Sequence, residues 1–291
     1  MMTATDRISK RAWFALFWVV LITSSLPVIC ARYPHLLDFP GHLARVHILT
    51  EYNTSQFYQA CYDLTQSIVP NIIFDGVVYL CTTVFSLMVA GKIFIILSFA
   101  LILSGTSAMH FALFRKFSVW PLAVAMLLYN VVLHVGLMNY YAGLGLMLWG
   151  IAMRLLMSEK PFWIKAITAL IFSALIYFAH LIAFLIYLLV VCGFLIQERI
   201  AAFKSGRSLF SAHLMIDIIA LMLPIAYQIF GIVGADQNME ILYGGLGWKI
   251  KTVIRTFLWD LGIVDLLTWG GSLLLGTIIL AREKLEAEEM N

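Results

Sequence analysis

Charge is missing from this chain over distances that only a membrane helix tolerates. No Asp, Glu, Lys or Arg interrupts residues 93–114, 117–153 or 166–197, whereas about 20 apolar residues suffice to span the hydrocarbon of a bilayer. The second and third stretches are each long enough for two helices. With 62% hydrophobic and 12% charged residues and a mean hydropathy of +0.94, a water-soluble fold is excluded. The expected fold is all-α, a polytopic integral membrane helix bundle forming one transmembrane domain over 1–291. The net charge of +3 is divided among many loops. It therefore bears on topology and on membrane lipids as partners, and not on nucleic acid, whose binding needs a concentrated basic face.

Lys and Arg near helix ends prefer the cytoplasm. The basic clusters are Arg7/Lys10/Arg11, Arg115/Lys116, Arg154/Lys160/Lys165, Arg199/Lys204/Arg207 and Arg282/Lys284. Placing all five inside gives eight transmembrane helices, at about 13–30, 93–114, 118–136, 138–154, 164–179, 181–197, 212–233 and 262–281, with both termini cytoplasmic. Residues 71–91 then form a helix at the outer interface; nine spans, with 71–91 crossing, are the alternative. Residues 7–30 also resemble a signal peptide, but the length of the apolar run and the embedded chain after it favour a retained helix. The largest external loop is 31–92 and carries amphipathic helices, whereas 282–291 is a charged cytoplasmic tail. Cys30 and Cys61 bracket that loop; a disulfide between them is open, although no spacing signals it.

The loop opens on Asp38-Phe39-Pro40-Gly41-His42-Leu43-Ala44-Arg45. Pro40 suits the first turn of a helix, which predicts a helix from Asp38-Phe39 to about Tyr52. At helical spacing Asp38, His42 and Arg45 share one face. A carboxylate there can take a proton from a hydroxyl, Arg45 can offer a planar fork to a phosphate, and His42 can serve either task. Equally open is a structural reading: Asp38 caps the helix, Arg45 pairs with it or with lipid phosphate, and His42 is interfacial. A divalent metal on His35, Asp38, His42 and His47 is a third reading, although no strong zinc spacing is present.

Ionisable groups within membrane segments call for partners or a cavity. His134, Asn139, Tyr140 and His180 fall near the expected level of Asp38, so an outer-leaflet cavity lined by them is consistent with the topology. Asp265, at the start of the last span, either faces the same cavity or caps its helix. The alternative for each histidine is an interhelical hydrogen bond. Asp217 is expected near the inner end of the seventh span, in reach of cytoplasmic water. Gly143, Gly145 and Gly150 read as sites of close helix packing.

The order of features, a basic N-terminus, one helix and a long external loop opening on an acidic motif, resembles the GT-C superfamily of membrane glycosyltransferases. The motif looks like the D-x-P-x-H-x-x-R segment of bacterial proteins related to that superfamily. Gly136-Leu137-Met138-Asn139-Tyr140-Tyr141 and Ala179-His180-Leu181 also look like recurring segments of those proteins. The resemblance implies a bacterial inner (plasma) membrane enzyme of the cell envelope that uses a polyprenyl-phosphate-linked sugar as donor. Asp38 is then the catalytic acid or base, Arg45 a candidate for the carrier phosphate, and 71–91 a juxtamembrane helix. Members of the superfamily are commonly longer. A minimal enzyme, one half of a complex completed by a protein partner, and an inactive remnant are all expected alternatives, as are a lipid or small-solute transporter and a non-catalytic subunit.

Overall fold

The computed structural model of the chain describes residues 8–64, 70–206, 208 and 212–232, and among the described residues the regular structure is helical. They are α1 (Lys10–Cys30), α2 (Phe39–Glu51), α3 (Gln56–Cys61), α4 (Ile73–Cys81), α5 (Leu87–Phe114), a 3-10 helix (Trp120–Leu127), α6 (Val131–Val135), α7 (Met138–Leu156), α8 (Phe162–Ala179), α9 (Leu181–Lys204) and α10 (Ala212–Ile232). Among the described residues four of these, α1, α5, α8 and α9, are long and apolar enough to cross a bilayer. Eight were expected, and the difference has local causes.

The clearest is 118–136, which is not a spanning α-helix. Pro121 lacks an N–H and falls in the 3-10 turn, and Asn130 then caps a new helix, its Oδ1 accepting from the N–H groups of Val132 and Leu133 at 2.9 and 3.3 Å. Gly136 ends that helix after one turn in a left-handed conformation, φ +91°. Even so, the broken segment runs the length of α1. Phe117 stacks near Trp13 at its start, Tyr129 donates to the Ser24 carbonyl at 2.7 Å, and Val135 bonds Asp38 just past its end. Irregular backbone survives at such depth only where protein encloses it. Here α1 and α5 flank it, and Tyr141 donates to the Leu128 carbonyl at 2.8 Å.

Residues 71–91 are likewise not one helix. The hydroxyls of Thr82 and Thr83 bond back to the carbonyls of Tyr79 and Leu80, α4 stops after nine residues, and α5 starts afresh at Leu87. A helix of that length reaches about 14 Å, half a bilayer, so the nine-span alternative fails as well. The expected helix after Asp38 is present as α2. Helix α7 falls short of a span's apolarity because Asn139, two tyrosines and Arg154 dilute it; it lies between α5 and α8, and its buried set includes Asn139 and Arg154. Of the two remaining expected spans, 212–233 falls on α10, whose described apolar stretch, Leu214–Ala226, is shorter than a span, whereas 262–281 lies outside the described residues, as does Asp265.

Apolar helices gain little from burial against one another in lipid, so close packing has to hold them. Helix α1 illustrates the lipid side: Phe14, Trp18, Ile22, Leu26 and Ile29 are all exposed, while Trp13, Phe17, Leu21 and Val28 face inward. The α5–α7 contact is built on small residues. A Cβ on Gly145 would stand 2.5 Å from Leu101 Cβ and 2.9 Å from its carbonyl carbon, and one on Gly105 would stand 3.0 Å from the Gly145 carbonyl oxygen. Gly145→Ala therefore forces the two backbones apart and is expected to destabilise the fold by about 1–3 kcal/mol. Thermal unfolding in detergent, with Gly193→Ala as the control because its Cβ position is open, checks this.

Candidate functional site

Helix α2 lies at the end of the bundle where α1 stops and α5 begins. Phe39, Leu43 and Val46 are buried on its inner side. Its seat is Gly91 of α5, where a Cβ would come within 2.8 Å of both Phe39 and Leu43. Phe74 of α4, fully buried, fills the space between α2 and α5, with ring contacts to Phe39, His42 and Phe94.

Asp38 sits at the N-cap position, yet its carboxylate makes no capping bond and is exposed. Its backbone, by contrast, is fixed. Leu37 N–H donates to the His134 carbonyl at 2.8 Å and Asp38 N–H to the Val135 carbonyl at 2.9 Å. The approach is so close that a Cβ on Gly136 would stand 2.7 Å from Asp38 N. The pairing joins the first-loop motif to the Gly136-Leu137-Met138-Asn139 segment, two stretches about 100 residues apart. His134 thus takes part through its backbone carbonyl.

Arg45 does not pair with Asp38. Its Nε and Nη2 donate to the two oxygens of Asp75 at 2.6 and 2.8 Å, and Nη2 also lies 2.9 Å from His42 Nδ1. Asp75, in the first turn of α4, is a residue that sequence reasoning passed over. Two signals pointed to it: a lone acid in an apolar stretch, and the favourable position of an acid at a helix N-terminus. The His42 pKa is lowered from its ordinary value chiefly by burial and then by the Arg45 guanidinium. Asp75, Asp38 and a hydrogen-bonding interaction with the Gly136 backbone oppose this without reversing it. The imidazole is therefore neutral at pH 7. Its linkage sign follows: below the ordinary pKa of 6.5 the unfolded chain takes up a proton that the native site resists, so this group's contribution to stability falls as pH drops through that value.

Asn139 is 3% exposed and its amide is committed to the backbone, Oδ1 accepting from Phe74 N–H at 2.8 Å and Nδ2 donating to the Asn71 carbonyl at 2.8 Å. Together with the bond from Ile72 N–H to the Phe178 carbonyl, it anchors the start of α4, and with it Asp75. Tyr140 and His180 form a second neighbourhood at this end of the bundle, their rings edge-to-face at 5.2 Å. His180 also caps α9 by accepting from Ile182 N–H at 3.2 Å. Asp38, His42, Arg45, His134 and Asn139 are thus joined through α4 and the Gly136 turn, while Tyr140 and His180 pair with each other at the same end of the bundle. Among the described residues no three His, Cys, Asp or Glu side chains gather closely enough to hold a metal ion, so the four-ligand reading has no support here. Cys30 and Cys61 are free thiols.

A second polar group occupies the opposite end. Arg154, 8% exposed, donates to both Glu198 oxygens at 3.1 and 3.2 Å and to Asp217 Oδ2 at 3.5 Å, tying α7 to α9 and α10. Asp217 is 8% exposed and, among the described residues, its Oδ1 has no hydrogen-bond partner, which corrects the expectation that it reaches water. Arg154, three helices away and read from the sequence only as part of a basic cluster, draws it inward.

No protein-family model, no curated protein and no solved structure matches this chain.

Proposed function

We propose that the chain is a membrane glycosyltransferase working at the outer face of the membrane on a polyprenyl-phosphate-linked sugar, with Asp38 as the base. One observation carries this reading: the Asp38 backbone is held rigidly at a membrane-edge site while its carboxylate is left uncommitted. Such an arrangement suits a group that must meet substrate, since a merely structural N-cap spends its side chain on its own helix. In the reaction Asp38 takes the proton of an acceptor hydroxyl as that oxygen bonds to the anomeric carbon. The carbon–oxygen bond to phosphate breaks, and the polyprenyl phosphate leaves with the electron pair. Arg45 gives most of its fork to Asp75, so its share in holding that phosphate falls to Nη1. His134, Tyr140 and His180 flank the approach. The basic residues Arg115, Lys116, Arg154, Lys160 and Lys204 follow or close helices, and Lys165 lies in the first turn of α8, all at the end opposite Asp38, which supports an outward-facing site under the positive-inside rule.

Asp38→Asn is expected to lower sugar transfer in reconstituted membranes by about 10²- to 10⁴-fold, the usual share of general base catalysis, with Asp38→Glu recovering part of it. Transfer at the native rate by Asp38→Asn sinks the proposal. The buried Arg154–Asp217 pair, with Glu198 beside it, favours a second reading, a transporter for a lipid or small solute. Solute uptake in proteoliposomes that depends on Asp217 and not on Asp38 selects it instead.

A further inference from the structure

The contact between Arg45 and His42 constrains more than position. Arginine has hydrogen-bond donors and no acceptor, so across 2.9 Å His42 Nδ1 is the accepting atom. An imidazole accepting at Nδ1 while neutral carries its proton on Nε2. The lone pair with which it would act as a base is then already engaged. Arg45 in turn is not free to choose this geometry. Its planar fork is set by the bidentate bond to Asp75, whose side chain is 14% exposed and whose helix is clamped by Asn139. The groups facing the ring are Asp38 and Arg45 from α2, Asp75 from α4, the Phe74 ring, and the Gly136 backbone.

We infer that Asp75 is a positioning residue: by locking the Arg45 fork it holds His42 as a neutral imidazole with its proton on Nε2, which denies His42 the part of base and leaves that part to Asp38. A relay of Asp75, Arg45, His42 and the Gly136 backbone thereby links α4 to the turn on which the Asp38 backbone rests. The catalytic half of this inference rests on the glycosyl-transfer reading; the state of the imidazole does not.

Nuclear magnetic resonance of the full chain in lipid nanodiscs, with ¹⁵N-labelled histidine and His42 assigned through His42→Gln, reads that state directly. The native protein is expected to show Nδ1 as acceptor and Nε2 protonated, with the ring neutral at pH 7. Asp75→Asn is expected to replace this single pattern with a mixture of the two tautomers, and Asp75→Glu to restore it. In a transfer assay Asp75→Asn lowers kcat by on the order of 100-fold, as expected for a displaced catalytic group, while Asp75→Glu retains most of it. A proton on Nδ1 in the native protein, or an unchanged pattern in Asp75→Asn, overturns the inference. If Asp75→Asn does not fold, the native tautomer alone decides. If the tautomer behaves as stated but no sugar is transferred by the native chain, the role of Asp75 toward His42 stands and the glycosyl-transfer reading falls.

Discussion

Gly136→Ala is expected to unseat Asp38 and to abolish whatever chemistry depends on it. Two separate costs coincide at this position. Gly136 has φ +91°, a left-handed conformation that costs an L-residue with a side chain about 1–2 kcal/mol. The added Cβ would also stand 2.7 Å from Asp38 N and 3.1 Å from Phe39 N, atoms of a backbone that has nowhere to retreat, because Phe39 is wedged over Gly91. The contact is relieved only by lifting Asp38 off the turn, which sacrifices the bonds from Leu37 and Asp38 to the His134 and Val135 carbonyls, each worth about 1 kcal/mol. A total of about 3–4 kcal/mol follows, concentrated at one end of the bundle. Hydrogen exchange at the amides of Leu37 and Asp38 should quicken sharply while α8 and α9 stay protected. Unchanged exchange there means that the close approach does not hold the motif in place.

The second large effect belongs to the opposite end. Arg154→Met leaves Asp217, 8% exposed and already short of one hydrogen-bond donor, with no ion-pair partner among the described residues. Breaking a buried ion pair in this way typically costs about 3–5 kcal/mol, whereas replacing both partners by apolar groups is often neutral. Glu198 differs, since its side chain is 47% exposed and water can take over from Arg154. The double variant Arg154→Met/Asp217→Leu is therefore expected to recover most of the loss, and Arg154→Met/Glu198→Gln little of it. Thermal unfolding of purified protein measures all three. Equal stability of Arg154→Met and the native chain would show that the buried group does not hold α7, α9 and α10 together.

Helix α2 was legible because its signals are local: Pro40 in the first turn, and Asp38, His42 and Arg45 at helical spacing on one face. The close packing at Gly143, Gly145 and Gly150 was legible too, since small residues at helical spacing have few other uses in an apolar chain. The break in 118–136 was written in Pro121, Asn130 and Gly136, but hydropathy averages over such residues and returns one span. Asp75 escaped notice, and Arg154 was read only as part of a cytoplasmic basic cluster, for a different reason. Each acquires its meaning from a residue 30 or more positions away, and no periodicity within a helix reports on that.

The amino-acid sequence by itself determined that this chain is helical, that it belongs in a membrane, and that a polar motif follows its first helix, because composition and short-range spacing control desolvation and helix initiation. Only the tertiary structure decided what the motif touches. Backbone bonds to the Gly136 turn fix Asp38, and Asp75 takes the arginine that the linear motif left open to a phosphate. Partners in an ion pair or a close backbone contact are chosen by packing in three dimensions, and the energy that selects them depends on distances the sequence does not encode locally.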